Sequence, residues 1–172
     1  MLDISVSYNR YIFLGPEFLT WLWFIIDNDQ TKIEDSVAIS LKLGNRIVLE
    51  NNRSDEVETL IIKGDDAGFE EGIVALKKGA MVVELNLVFE INEQEWRFTI
   101  KGDNLNLVGL KSPRNEPMES KEELEGILIE RAYLFSMIFD RIDALFSQFI
   151  KLRISNDWNK NGVLLIKKWI YS

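Results

Sequence analysis

Hydrophobic positions change period between residues 64 and 110, and that change sets the expected fold. Ala67, Ile73, Val74 and Leu76 lie on one side of a short helix, with Gly79 placed to stop it. Val83, Leu85, Leu87, Phe89 and Ile91 then alternate with Glu84, Asn86, Val88 and Glu90, the period of a strand with one buried face. Asn92-Glu93-Gln94 makes a tight connection, after which Trp96, Phe98 and Ile100 alternate with Arg97, Thr99 and Lys101. A turn at Lys101-Gly102-Asp103-Asn104 leads to Leu105, Leu107 and Leu110. The pattern predicts one helix followed by a three-stranded antiparallel meander.

Upstream, Leu2, Ile4, Val6 and Tyr8 alternate as an edge strand would. Pro16 suits the first helical position and Glu17 the positive end of the helix dipole. The helix that follows, with Phe18, Leu19, Leu22, Trp23, Ile25 and Ile26, has hardly any polar face. Such a helix needs covering by more than one neighbour or by another chain. Val37, Ile39, Leu41 and Leu43 alternate up to Gly44-Asn45, a two-residue hairpin signal, and Ile47 and Leu49 continue on the return strand. Residues 51–55 form a polar turn before a third strand over 56–63.

Residues 111–118 hold two of the three prolines and are expected to be a linker or exposed loop. Ser120 and Glu123 form a capping box that opens a helix running to about Lys151. Leu124, Leu128, Arg131, Phe135, Ile138, Ile142, Leu145 and Phe149 mark one stripe of it. Roughly 30 residues make a rod of about 45 Å, longer than one small sheet requires, so part of the rod is expected to pack on a partner. After a break at Ser155-Asn156-Asp157, residues 158–171 read as a final short helix. The expected fold class is α+β: antiparallel β-meanders with a short central helix, packed against a long helix in the C-terminal half. Residues 1–172 are expected to form a single domain, with a helix-and-sheet region over 1–111 and a helical region over 119–172.

Composition narrows the chemistry. The 172 residues include no histidine and no cysteine. That removes Ser-His-Asp and Cys-His nucleophiles, disulfides and the usual zinc site. No catalytic residue, metal or cofactor is expected. Twenty basic and 28 acidic side chains give a net charge of −8, against a whole-surface nucleic-acid binder. The charge is uneven, however. Lys151, Arg153, Lys160, Lys167 and Lys168 face only Asp157 in residues 151–172, leaving that end at +4 and the first 150 residues at −12. With no basic leader and no apolar run of membrane-spanning length, a cytoplasmic location without membrane contact is expected.

Asp27-Asn28-Asp29-Gln30-Thr31 lacks the glycine and final carboxylate of a calcium loop and reads as a solvated turn. Asp65, Asp66, Glu70, Glu71 and Glu84 form no nuclease-like pattern and read as helix-start and surface residues. Trp23 and Trp96 belong to core registers. Trp169, beside Lys167 and Lys168, is the more open case, either a packing residue or part of an aromatic-basic platform for a base.

Several of these segments resemble the C-terminal part of the RdgC recombination-associated proteins. They are Glu70-Glu71, Lys77-Lys78-Gly79, VVELNLVFE, EWRFTIKGD and LNLVGLK, with LGPEFLTWLWF before them and ERAYLFSMIFDRIDALFSQFIKLRIS after. The last two are similar to the family's more divergent branch, and the likeness spans about residues 12–158 in patches. The resemblance implies sequence-nonspecific DNA binding, a ring-shaped dimer and modulation of recombination; some members carry an exonuclease label, for which no motif matches here. Its lysine positions fall on Lys77 and Lys78 at the turn after the helix and on Lys101 and Lys111 near the strand ends. Lys167 and Lys168 of the basic terminus join them as candidate DNA contacts. The family's N-terminal half has no counterpart in this chain. A homo-oligomer or a separate partner chain is therefore expected, docking on Phe18, Leu22 and Trp23 and on Phe135 and Phe139 of the long helix. The alternative is a structural or protein-interaction module that does not touch nucleic acid.

Overall fold

A computed structural model describes residues 13–28, 39–53, 56–64, 69–91, 94–111, 113 and 121–172. The expected strand over Leu2–Tyr8, the loop over Asp29–Thr31, the Asp65-Asp66 pair and the capping residue Ser120 lie outside them.

Helix α1 (Leu14–Asp27) begins two residues before Pro16, with the Glu17 N–H donating to the Phe13 carbonyl at 3.1 Å. Phe18, Leu19, Trp21, Leu22, Trp23, Phe24 and Ile25 are all buried, so nearly its whole circumference is covered. Strands β1 (Ile39–Arg53), β2 (Glu56–Lys63), β3 (Met81–Ile91), β4 (Gln94–Lys101) and β5 (Leu107–Lys111) form one antiparallel sheet in the order β2-β1-β3-β4-β5. Helix α2 (Phe69–Lys77) connects edge strand β2 to β3, on the other side of β1. Helix α3 (Lys121–Arg153), a π-helical turn (Trp158–Gly162) and helix α4 (Val163–Tyr171) complete the chain. The fold is α+β. Among the described residues, no helix is long and apolar enough to cross a membrane.

One hydrophobic cluster joins these layers. The sheet contributes Leu41, Ile47, Leu49, Leu85, Leu87, Phe89, Trp96, Phe98 and Ile100; α1 lies on them; and Ile138, Ile142, Leu145, Phe149 and Trp158 close over α1. Phe18 meets Phe146 edge-on at 5.1 Å and Phe149 at 5.6 Å, so the C-terminal half of α3 packs on the helix layer. Arg153 fastens the two, donating from Nε to Glu17 Oε2 at 2.7 Å with its guanidinium over the rings of Phe13 and Trp158. Phe18, Leu22 and Trp23 are therefore covered by this chain itself, a correction to their expected role in docking a partner.

Two expectations about the strands are also corrected. Gly44-Asn45 does not turn the chain. β1 runs through it as one 15-residue strand, with two extra residues bulged out between Leu43, opposite Leu87, and Ile47, opposite Leu85. Asn86 stabilises the detour: its Oδ1 accepts the Asn45 N–H at 3.2 Å and its amide donates to the Phe98 carbonyl at 3.0 Å. The hairpin is made one step later, where Arg53 pairs with Glu56. Val83 does not point inward either. A second shift in register, between Val48 opposite Glu84 and Leu49 opposite Val82, puts Val82 in the core, while the Val83 carbonyl accepts the Gly102 N–H at 2.8 Å.

The helix stop at Gly79 is as the sequence predicts. Gly79 has φ of 91°, and the Ala80 and Gly79 N–H groups donate back to Ala75 and Leu76 at 3.0 and 2.9 Å, the reciprocal pattern of a glycine cap. Where α1 meets the β4–β5 turn, backbone lies directly on backbone. A methyl group added at Gly15 would sit 1.7 Å from the Gly102 carbonyl oxygen.

On the outer face of the sheet, Glu90 accepts from Lys42 at 2.6 Å and from Ser40 at 3.1 Å. The hydrogen bond from Lys42 lowers the Glu90 pKa, helped by that from Ser40 and by the lysine charge, and the same bond raises that of Lys42.

Gly15→Ala should destabilise the fold by at least about 2 kcal/mol through overpacking against rigid backbone. Gly126→Ala, in α3 with nothing within 4 Å, should stabilise it by about 0.5–1 kcal/mol. Urea titrations of both variants check the pair, and equal effects would contradict the close approach. The Glu90 carboxyl should titrate below the ordinary glutamate range. Its ion pair contributes above that range and is lost as pH falls through the lowered pKa. Carboxyl NMR should show the midpoint moving back up in Lys42→Met.

Candidate nucleic-acid interface

The six candidate lysines do not form one surface. Lys77 ends α2, where a cation suits the helix dipole, and Lys78 follows in the turn. The Lys77 ammonium lies over the ring of Tyr171 at 5.9 Å from its centre. Lys167 and Lys168 precede Tyr171 by four and three residues on α4, the spacings that make helix-surface neighbours. Packing of α2 on α4 thus gathers Lys77, Lys167 and Lys168 around one aromatic ring that is itself 66% exposed, whereas Lys78 lines a groove toward β2 with Glu58 and Glu71.

Lys101 and Lys111 are not part of that group. Lys101 points to the outer face, 3.6 Å from Glu84 Oε1, and Arg46 pairs with the same carboxylate. They line a shallow concavity of about 520 Å³ with Val48, Ile61 and Asp103, a mixed-charge wall rather than a basic one. Lys111 ends edge strand β5, opposite Arg97.

Of the two readings open to Trp169, the structure shows packing. Its indole N–H donates to Asp27 Oδ2 at 2.7 Å, and its ring packs edge-on against Trp23 at 5.4 Å and Phe24 at 5.7 Å. The amphipathic period of α4 requires this, since Val163, Ile166, Trp169 and Ile170 form its inward face. Trp169 anchors the helix, leaving Tyr171 as the exposed ring. The signal that could have found Tyr171 is its spacing from Lys167 and Lys168.

Among the described residues, no three acidic side chains converge to hold a metal ion. Glu84 is held by Arg46 and Lys101 on the outer face, whereas Glu70 and Glu71 lie in the first turn of α2. Of the expected docking residues on α3, Phe135 packs edge-on against Trp96 at 5.2 Å and is half-buried, while Phe139 remains 49% exposed.

Comparison with known protein families, curated proteins and solved structures finds no match.

The patch depends on the seat of α4. Asp27→Ala removes the acceptor for Trp169 and should cost about 1 kcal/mol. It should also speed amide hydrogen exchange selectively over residues 163–171. Exchange that rises uniformly, or not at all, would show that the indole–carboxylate bond does not hold the helix.

Proposed function

We propose that this protein is a non-catalytic DNA-associated protein of RdgC-like type that binds nucleic acid without sequence preference through the α2–α4 end. One observation carries the reading: Lys77 lies over the exposed ring of Tyr171, and Lys167 and Lys168 flank that ring on α4. Lysines contact phosphates as point charges, and a neighbouring aromatic face stacks on any base, so the pair of features suits sequence-tolerant binding of a strand. The same arrangement is compatible with a net charge of −8, because binding requires a local basic surface rather than a basic protein. Lys101 and Lys111 are left out of this surface, and a role in modulating recombination rests on the sequence resemblance alone.

A specific observation favours a second reading, a protein-interaction module. The N-terminal half of α3 exposes Leu124, Leu128, Ile129 and Tyr133, an apolar surface with no use in binding phosphate.

Fluorescence anisotropy with a labelled single-stranded oligonucleotide, repeated across salt concentrations, separates the two. Wild-type protein should bind with an affinity that falls steeply with salt. Lys167→Glu/Lys168→Glu should weaken binding at least about tenfold and flatten the salt slope, while Tyr171→Ala should cost about 1–3 kcal/mol with the slope kept. Lys101→Glu should leave binding unchanged. No binding at low salt, or equal losses for Lys101→Glu and the α4 pair, would sink the DNA reading and leave the interaction module.

A further inference from the structure

The stripe on α3 keeps a regular three-and-four spacing from Leu124 to Phe149, but only its second half is closed inside the chain. Ile138, Ile142, Leu145 and Phe149 are buried. In the first half Leu124 is 40% exposed and Leu128 54%. An apolar helix face of this kind is covered in most soluble proteins. Its charge is one-sided: over residues 121–133, Glu122, Glu123, Glu125 and Glu130 outnumber Lys121 and Arg131.

Among the described residues, the end of the chain presents a surface of the opposite character. The outward side of α4 and the turn before it present Lys160, Lys167 and Lys168 around Leu164, 53% exposed, and Leu165. The acidic arm and this basic surface match in both charge and apolar content. They do not meet within one molecule. α3 is continuous from Lys121 to Arg153, and 25 residues of helix put Leu128 about 37 Å from the end where α4 follows. Pairing of two arms with each other brings glutamates of the same sign together, which the charges oppose.

We propose that the Lys121–Tyr133 arm of α3 docks on the outward face of α4 in a second copy of this chain. The contact is reciprocal: each copy gives one arm and receives one, so two copies close into a two-fold dimer. Leu124 and Leu128 supply the apolar centre against Leu164 and Leu165, and Glu125 and Glu130 face Lys160, Lys167 and Lys168 around it. This proposal does not rest on the DNA reading. It shares two lysines with it, however, and the dimer contact and a nucleic acid strand then compete for the same surface.

Sedimentation velocity on the full chain without nucleic acid, over a micromolar concentration series at low and high salt, tests it. Wild-type protein should dimerise and dissociate more readily as salt rises. Leu124→Glu/Leu128→Glu and, separately, Lys160→Glu/Lys167→Glu/Lys168→Glu should each weaken the dimer at least about tenfold, with unchanged thermal melting because all five side chains are exposed. Adding Glu125→Lys/Glu130→Lys to the lysine variant should restore association. A wild-type monomer throughout the series, a dimer indifferent to either variant, or a charge-reversed pair that stays monomeric would overturn the proposal. The Leu124→Glu/Leu128→Glu variant keeps every lysine, so its oligonucleotide binding reports on the DNA reading separately.

Discussion

A helix without a polar face must be enclosed, and α1 imposes that requirement on the whole molecule. Seven of its fourteen residues are large apolar side chains removed from water, each worth about 1.5–3 kcal/mol when fully buried. A single sheet covers only one side of such a helix. The C-terminal half of α3 and the turn at Trp158 cover the other, and the aromatic contacts of Phe18 and Trp21 with Phe149 show where the layers meet. Even the ends of α1 are fixed by this enclosure. Gly15 lets its first turn lie on the β4–β5 turn, and Asp27 at its last turn receives the Trp169 indole.

Much of the fold is legible in the sequence because it is local. The period-2 runs of β3 and β4, the glycine stop after α2 and the break at Ser155 all appear in the structure near their predicted positions. The misreadings arise where a distant side chain decides. Gly44-Asn45 resembles a hairpin turn in isolation, and Asn86, some forty residues away, turns it into a bulge. Val83 follows the alternation of its strand, yet the register of β1 flips it outward. The apolar surface of Phe18, Leu22 and Trp23 was visible, but whether this chain or another covers it is a tertiary fact.

The candidate site divides in the same way. The basic end of the chain can be read from charge alone, and Lys77 and Lys78 from their position after a helix. The convergence of Lys77 with Lys167 and Lys168 depends on α2 packing against α4, which no spacing reveals. The choice between Trp169 and Tyr171 needs the phase of α4 against the core. Once Trp169 is turned inward by Trp23 and Phe24, Tyr171 two residues later is on the outside.

The detour at Gly44-Asn45 also fixes how the length of β1 can vary. Because it holds an even number of extra residues, Leu41 and Leu43 before it and Ile47 and Leu49 after it share one face. A deletion of both extra residues keeps that parity. A deletion of one exchanges the two faces from Arg46 onward, taking Ile47 and Leu49 out of the core and putting Arg46 and Glu50 into it. The strand therefore tolerates change in steps of two residues and resists a change of one.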